Sequence, residues 1–381
     1  MTWSVYQHWD PLKVCVVGRS YPPEFYSWIT IPHVRSLFEK IAMETEEDYQ
    51  AVIKKLEQFG VEVMRPELPD KTMVNGKFVA PPMTPRDYTM MQGELFYENY
   101  SNRFRKAAYN SIKDASWPEI NSITEFASLP TWIKHECKQV HNWDPMDSST
   151  NTHRNVYDRI LARIENQGNQ IKSGTGYHGA ECARVGKDLF FGTDDYHQDI
   201  DELRNKVNKE FTQTRNHIIN TGGHSDATYC PVCPGLIISL YDVPTYASTF
   251  PGWEVVYLPG QSWGAVKPFL NLKRQNKGKW WIPGFEHDQS VIDVVETWLG
   301  HWTGYVEETV FDVNMLIIDP KNVIVFNYNK QVFDAFDRYG ITPHIVPFRH
   351  RYFWDGGIHC ITSDLHREGV MQDYFPERKN V

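Results

Sequence analysis

Apolar and polar positions along this chain recur in one order: a short apolar run, an amphipathic stretch, a glycine, and a second apolar run. "KVCVVG" (Lys13–Gly18) is a short apolar run ended by glycine and reads as a buried strand. A helical stretch follows over roughly Val34–Phe59, Gly60 supplies a helix C-cap, and "VEVMRP" reads as the next strand. The order returns near the far end. "MLIIDPKNVIVFN" predicts a β-hairpin turning around Asp319–Asn322, "KQVFDAFDRYG" an amphipathic helix ending at Gly340, and "ITPHIVPF" a strand. "KKLEQFGVEVMRP" and "AFDRYGITPHIVP" therefore share helix, aromatic residue, glycine, strand and proline. "KDLFFGT" with a polar helix-like stretch and "HIIN" is a third copy of the order, and "GLIISLY" with "WEVVYLP" a fourth.

A single domain over residues 1–381, built as an array of β-α-β units, is the economical reading. Between about Leu95 and Ser173 the pattern breaks down into polar segments such as "WDPMDSST" and "IENQGNQIKSGTG", which predict helices and loops laid over the core as a lid or rim.

Composition adds bounds. The 381 residues carry 39 Lys plus Arg against 48 Asp plus Glu, a net charge of −9, with no long basic run. That disfavours nucleic acid and anionic membranes as partners. No apolar stretch approaches membrane-spanning length. "MTWSVYQHWDPLKV" has neither the basic nor the apolar region of a secretory signal, and the six cysteines are scattered. Both favour reduced thiols in the cytoplasm.

Several segments could carry chemistry. In "WDGGIHCITSDLHREG", Cys360 follows Gly356 and Gly357, which permit a tight turn or a close approach. It could be a buried thiol, a metal ligand or a nucleophile. His359 is its neighbour, and on a strand the two would point opposite ways, which makes His359 a poor base. In "GGHSDATY", the His-x-Asp spacing puts His224 and Asp226 on one side of an extended segment, a proton carrier beside a carboxylate. Asp87 in "PRDYTMMQG" precedes a strand-like run and reads as a cap or turn residue. His178 and Glu181 in "GYHGAECARVG" lie in a glycine-rich turn before a strand. "CPVCP" (Cys230–Pro234) is a lone CxxC without a second ligand pair, so strand entry is favoured over zinc. No P-loop is present.

Taken in order, "WDPLKVCVVGR", "PRD", "YHGAECARVGKDLF", "HSDATY" and "GGIHC" resemble the amidinotransferase family typified by glycine amidinotransferase, within the guanidino-group-modifying enzymes. The resemblance runs from Trp9 to about Arg367. It implies a five-bladed α/β propeller (pentein) of ββαβ-type repeats around a central channel. It implies Cys360 as nucleophile, His224 as general acid/base, and Asp87 and Asp226 as the carboxylates gripping a guanidinium. It implies a small-molecule guanidino donor and an amine acceptor, with neither metal nor cofactor, and is compatible with a homodimer.

The third block departs from the family's Phe-Asp-Ala-Ala-Asp. The first acid, which in the family orients the catalytic histidine, is replaced by His178 and Glu181 keeps the second, so that either Glu181 assumes the orienting role or the site's proton chemistry is altered. The family's arginine-handling Arg aligns with Val243, and its paired serines align with Glu307 and Glu308. Two added negative charges suit a cationic or amine-bearing substrate, provided they face the channel. Amidino transfer is the leading expectation. A guanidine hydrolase using the same cysteine and histidine, or a binding protein without turnover, are the alternatives.

Overall fold

The computed structural model describes residues 2–69, 72–74, 77–98, 155–173, 175–193, 200–221, 224–240, 246–258, 282–285, 287–299, 312–354 and 356–378. The chain runs through β1 (Leu12–Val17), α1 (Pro32–Gln58) and β2 (Glu62–Met64), then a small hairpin of β3 (Met73–Val74) and β4 (Lys77–Phe78). Next come β5 (Thr89–Gln92), β6 (Leu95–Glu98), α2 (Asp158–Asn166) and β7 (Gln170–Ser173). They are followed by β8 (Cys182–Val185), β9 (Asp188–Thr193), α3 (Ile200–Glu210) and β10 (Arg215–Asn220). The one-turn α4 (Tyr246–Thr249) separates β11 (Tyr229–Cys233) and β12 (Leu236–Ser239) from β13 (Glu254–Tyr257). After α5 (Gln289–Val294) come β14 (Leu316–Asp319), β15 (Asn322–Val325), α6 (Lys330–Tyr339), β16 (Thr342–Ile345), α7 (Arg351–Trp354) and β17 (Thr362–Arg367).

These strands form five three-stranded sheets with one plan. Two strands pair antiparallel, and a third joins the second of them in parallel: β5-β6-β7, β8-β9-β10, β11-β12-β13, β14-β15-β16 and β17-β1-β2. The parallel step needs a crossover, which the helices supply. This is a five-fold α/β propeller, as the sequence implied. In the fifth sheet the antiparallel pair comes from opposite ends of the chain, with Leu12 opposite Arg367 and Val17 opposite Thr362. That pairing closes the ring.

Local chemistry sets the repeat. Helix α1 buries Val34, Phe38, Ile41, Tyr49, Val52 and Leu56, a stripe at helical spacing, against Cys15 and Val17 of β1 and Leu316 and Ile324 of the neighbouring sheet. It ends in a Schellman motif: Gly60 has φ +73, its N–H donates to Glu57 O, and Val61 N–H donates to Leu56 O. Gly340 ends α6 in the same way, with bonds to Asp337 and Phe336. The two segments that matched in sequence therefore occupy equivalent places in neighbouring sheets.

A third copy lies where the sequence pattern was expected to break down. Gly168 (φ +85) ends α2, with bonds from Gly168 N–H to Glu165 O and from Asn169 N–H to Ile164 O. Residues 155–173 are thus not part of a rim. They are the helix and third strand of the first sheet. Helix α2 has only Ile160 and Ile164 buried, and β7 is partly exposed, so both read as polar. Residues 99–154, the bulk of the expected lid, lie outside the described residues.

The sheets are pinned to one another by a buried charge. Asp364 on β17 accepts from Arg184 Nη2 at 2.7 and 2.8 Å, from Arg367 Nε at 2.7 Å, and pairs with Arg86 Nη1 at 3.0 Å. All four side chains are about 1% exposed. The guanidiniums reach on to backbone carbonyls: Arg184 to Met91, Arg367 to Asp10 and Ile317, and Arg86 to His359 and Thr362. Strands β5, β8, β14 and β17 therefore meet on one carboxylate. Burial alone would push the Asp364 carboxyl up, but Arg184, Arg86 and Arg367 outweigh it and hold it well below the usual range. The same burial, with Arg184 as the main charge, holds His8 neutral, and its Nε2 accepts from Arg184 N–H at 3.0 Å.

Asp364→Asn leaves three buried guanidiniums without their counter-charge and is expected to cost about 3–5 kcal/mol in urea unfolding. A loss below about 1 kcal/mol would contradict the pinning role. Because the native carboxyl is depressed, its contribution is complete above an ordinary aspartate pKa of about 3.9. It is lost only as pH falls toward the lower native value.

Candidate active site

The residues singled out in the sequence share one structural position: the turn that enters the first strand of a sheet. Pro85–Asp87, Gly179–Glu181 and Ser225–Ala227 are each a single 3-10 turn leading into β5, β8 and β11. Their closing bonds run from Tyr88 N–H to Pro85 O and from Thr228 N–H to Ser225 O. Asn314 stands just before β14, and a turn over residues 358–361 leads into β17 and carries His359 and Cys360. Five equivalent entrances thus deliver Asp87, His178 with Glu181, His224 with Asp226, Asn314, and His359 with Cys360.

Two local arguments from sequence are corrected. His224 and Asp226 do not sit on an extended segment. His224 precedes a 3-10 turn and Asp226 lies within it, yet both side chains enter the site. His359 and Cys360 are not on a strand either, so alternation does not separate them, and both reach Asp226.

Around the thiol, Cys360 is fully buried. Asn314 Nδ2 donates to Sγ at 3.0 Å, and Asp226 Oδ2 lies 3.7 Å from it. Asn314 Oδ1 accepts from the backbone N–H groups of His359 at 2.8 Å and Cys360 at 3.3 Å, so one amide fixes both the turn and the sulfur. Gly357 makes this approach feasible, because a Cβ there would stand 2.1 Å from Asn314 Oδ1. Glycine serves a close approach here, but the group approaching is a side chain of the same protein. The Asp226 carboxylate accepts from His359 Nδ1 at 2.8 Å. Burial, then Arg86 and His8, pushes His359 well below its ordinary pKa, so it stays a neutral donor. Arg86 Nε donates to His359 O at 2.8 Å and Thr362 O at 2.9 Å, tying the thiol-bearing turn to the Asp364 cluster.

A second group gathers around His224. Its Nδ1 is 3.9 Å from Asp87 Oδ1, and its ring meets His178 edge-on with centroids 5.4 Å apart. His178 Nε2 pairs with Glu181 Oε1 at 3.1 Å. Ser225 Oγ donates to Glu181 O at 2.9 Å and locks the two turns together. The Ser225–Ala227 turn joins the two groups, since His224 faces one and Asp226 the other.

Glu307, Glu308 and Val243 lie outside the described residues. Cys230 and Cys233 of the lone CxxC are on β11, both buried, and burial pushes the Cys233 thiol up to about 11. Reading by sequence missed Asn314 and the Arg86–Arg184–Arg367–Asp364 cluster. Asn314 had one available signal: a polar amide directly before the apolar run of β14, where the other repeats carry their candidate residues.

No family model matches the chain. Among curated proteins it is 23% identical to the mitochondrial glycine amidinotransferase of Xenopus laevis, over 97% of this chain and 84% of that protein. It is 21% identical to an L-arginine:L-lysine amidinotransferase of Pseudomonas savastanoi pv. phaseolicola, over 84% and 78%. Among solved structures, it superposes on the inosamine-phosphate amidinotransferase StrB1 of Streptomyces griseus with TM-score 0.60 and 16% identity, covering 98% of this chain and 99% of that one. The amidinotransferase SxtG of Microseira wollei gives TM-score 0.59 and 18% identity, with the same coverage.

Gly357→Ala and Asn314→Ala both remove the amide donor from Sγ. A hydrogen bond to a charged group is worth about 1.5–3 kcal/mol, so each variant should slow alkylation of Cys360 by iodoacetamide about tenfold or more. The double variant should be no slower than the single ones, because both break the same contact. Additive losses would contradict the shared cause. Over nearly its whole length the chain is similar in sequence to proteins named as amidinotransferases, and its five-fold propeller is similar to the folds of two of them.

Proposed function

We propose that this protein moves an amidino group from a guanidino donor to an amine, by way of a covalent amidino intermediate on Cys360. The observation that carries the reading is the convergence on equivalent turns of a thiol, a histidine and two carboxylates. Cys360 lies beside Asp226, and His224 beside Asp87. The order of these residues along the chain is that of the family resemblance, and the named relatives are amidinotransferases.

The chemistry follows from the side chains. A guanidinium is planar and permanently charged, and carboxylates pair with it through parallel hydrogen bonds. Asp87 and Asp226 hold it with its central carbon toward Sγ. The thiolate attacks that carbon and forms a C–S bond. His224 gives a proton to the departing amine as the C–N bond breaks. An S-amidino cysteine remains. The acceptor amine then loses a proton to His224 and attacks the same carbon; a new C–N bond forms, and the C–S bond breaks to return the thiolate. Asn314 donates to the sulfur in its anionic state. The guanidiniums of the Asp364 cluster, three against one carboxylate, add net positive charge next to the thiol-bearing turn, which Arg86 holds. Glu181 anchors His178, whose ring edge fixes the plane of His224 in place of the family's carboxylate.

Glu307 and Glu308 are assigned to a cationic or amine-bearing substrate. We place the activity in one domain over residues 1–381, as a monomer or homodimer. We place it in the cytoplasm, since the six cysteines are scattered along the chain without the spacing of a disulfide framework. No described helix is long and apolar enough to cross a membrane. The frog relative's name gives that protein a mitochondrial address, so microscopy of the tagged full chain decides the compartment.

With arginine, canavanine and agmatine screened against varied amines, transfer predicts that the donor's amine product and a new guanidino compound appear in equal amounts, and only when an acceptor is present. Citrulline or ammonia formed without an acceptor would instead establish hydrolysis. His224→Ala should lower turnover about 10²–10⁴-fold, and Cys360→Ala should abolish it.

A further inference from the structure

We propose that His178, Glu181 and His224 form a binding site for a divalent transition-metal ion of the zinc class, and that its occupation takes His224 out of amidino transfer. The first half stands on the geometry alone. The second rests on the reading of His224 as the proton carrier.

Each of the three residues offers one ligand atom, and these atoms lie within 4.8 Å of one another. Two imidazoles and a carboxylate are a donor set that zinc accepts, with a further position left for water or an amine. Two nitrogen donors of three argue against calcium and magnesium, which take oxygen ligands.

The ligands are held in place before any ion arrives. His178 and Glu181 are three residues apart around a 3-10 turn, the spacing that stacks side chains on one face. Gly179 between them packs within 3.0 Å of Arg86 Cγ and 3.2 Å of Thr89 O, measured from the Cβ it lacks, so the turn has no room to drift. Ser225 Oγ bonds Glu181 O and fixes the turn bearing His224 against it. His178 Nδ1 is buried and has no hydrogen-bond partner among the described residues. Nε2, 3.1 Å from Glu181 Oε1, is the nitrogen placed to share an ion with that carboxylate, and Nδ1 is left as the position for an outer partner.

Charge agrees as well. Besides Glu181, the Asp87 carboxylate is 3.9 Å from His224 and can act as its outer partner, and Asp226 is two residues away on the same turn. A substrate guanidinium would meet the same carboxylates, so a dication and a guanidino donor compete for one negative site.

The test uses the metal-free full chain with no substrate present. Zinc is titrated by calorimetry, and cobalt(II) by its visible absorption. The parent should take one ion per chain with the spectrum of nitrogen and oxygen ligation. Losing an outer-shell partner alone costs about 10–100-fold in affinity, so His178→Ala and Glu181→Gln should each weaken binding at least that much. Cys360→Ser should bind as the parent does. The site is overturned if the parent binds no zinc, or if both variants bind as tightly as the parent. It is equally overturned if Cys360→Ser loses the ion or the cobalt form shows a sulfur-to-metal band. Zinc bound as expected in a protein that transfers no amidino group would keep the site and remove the functional reading. Transfer unchanged in the zinc-saturated protein would overturn the second half.

Discussion

One buried carboxylate, Asp364, faces three guanidiniums that are shut away from water. Bringing four ions into a dry interior is costly unless nearly every donor finds an acceptor. The cluster meets that condition by spanning the ring. Other N–H groups of the cluster reach carbonyls on β5, on β14 and on the turn before β17, and only Arg86 Nη2 and Arg184 Nε find no partner among the described residues. Each sheet has only three strands and a small face of its own, so the interior between sheets must be specified by something directional. The Arg86–Arg184–Arg367–Asp364 cluster supplies that direction. The apolar packing of α1 and the antiparallel β1–β17 pair complete the closure.

The site inherits its order from this cluster. Arg86 uses one nitrogen to hold both His359 O and Thr362 O, on either side of Cys360 and Ile361. Asn314 holds the same turn from the opposite side and reaches the sulfur itself. A thiol so fixed cannot search for a substrate, so the substrate must be brought to it, which is the task proposed for Asp87 and Asp226. The five-fold plan explains why residues scattered from 87 to 360 meet. Every repeat enters its first strand through a turn at the centre, and whatever side chain a turn carries is delivered to the same place.

Much of this was legible in the sequence, and its limits have physical causes. The fourth and fifth repeats were plain because "QFGVEV" and "RYGITP" carry a Schellman glycine between an amphipathic helix and an apolar strand. The first repeat was lost because α2 buries only two residues of its stripe and β7 is half-exposed, although Gly168 repeats the same cap. Cys360, His224, Asp87 and Asp226 were found by order and type. Their local geometry was misjudged, since a pattern of two cannot reveal a 3-10 turn. Asn314 and the Asp364 cluster stayed hidden because long-range hydrogen bonds between polar residues leave no periodic trace. His178 was visible as a departure, and only the edge contact with His224 and the pairing with Glu181 give it a place.

The central claim is that Cys360 carries the amidino group between donor and acceptor. Intact-protein mass spectrometry after mixing with a guanidino donor alone tests it directly. The account predicts that the chain gains the mass of one amidino group, that peptide mapping locates it at Cys360, that an added amine removes it, and that Cys360→Ala never acquires it. A parent protein that turns over donor and amine yet never carries the adduct, or carries it at another residue, would contradict the account.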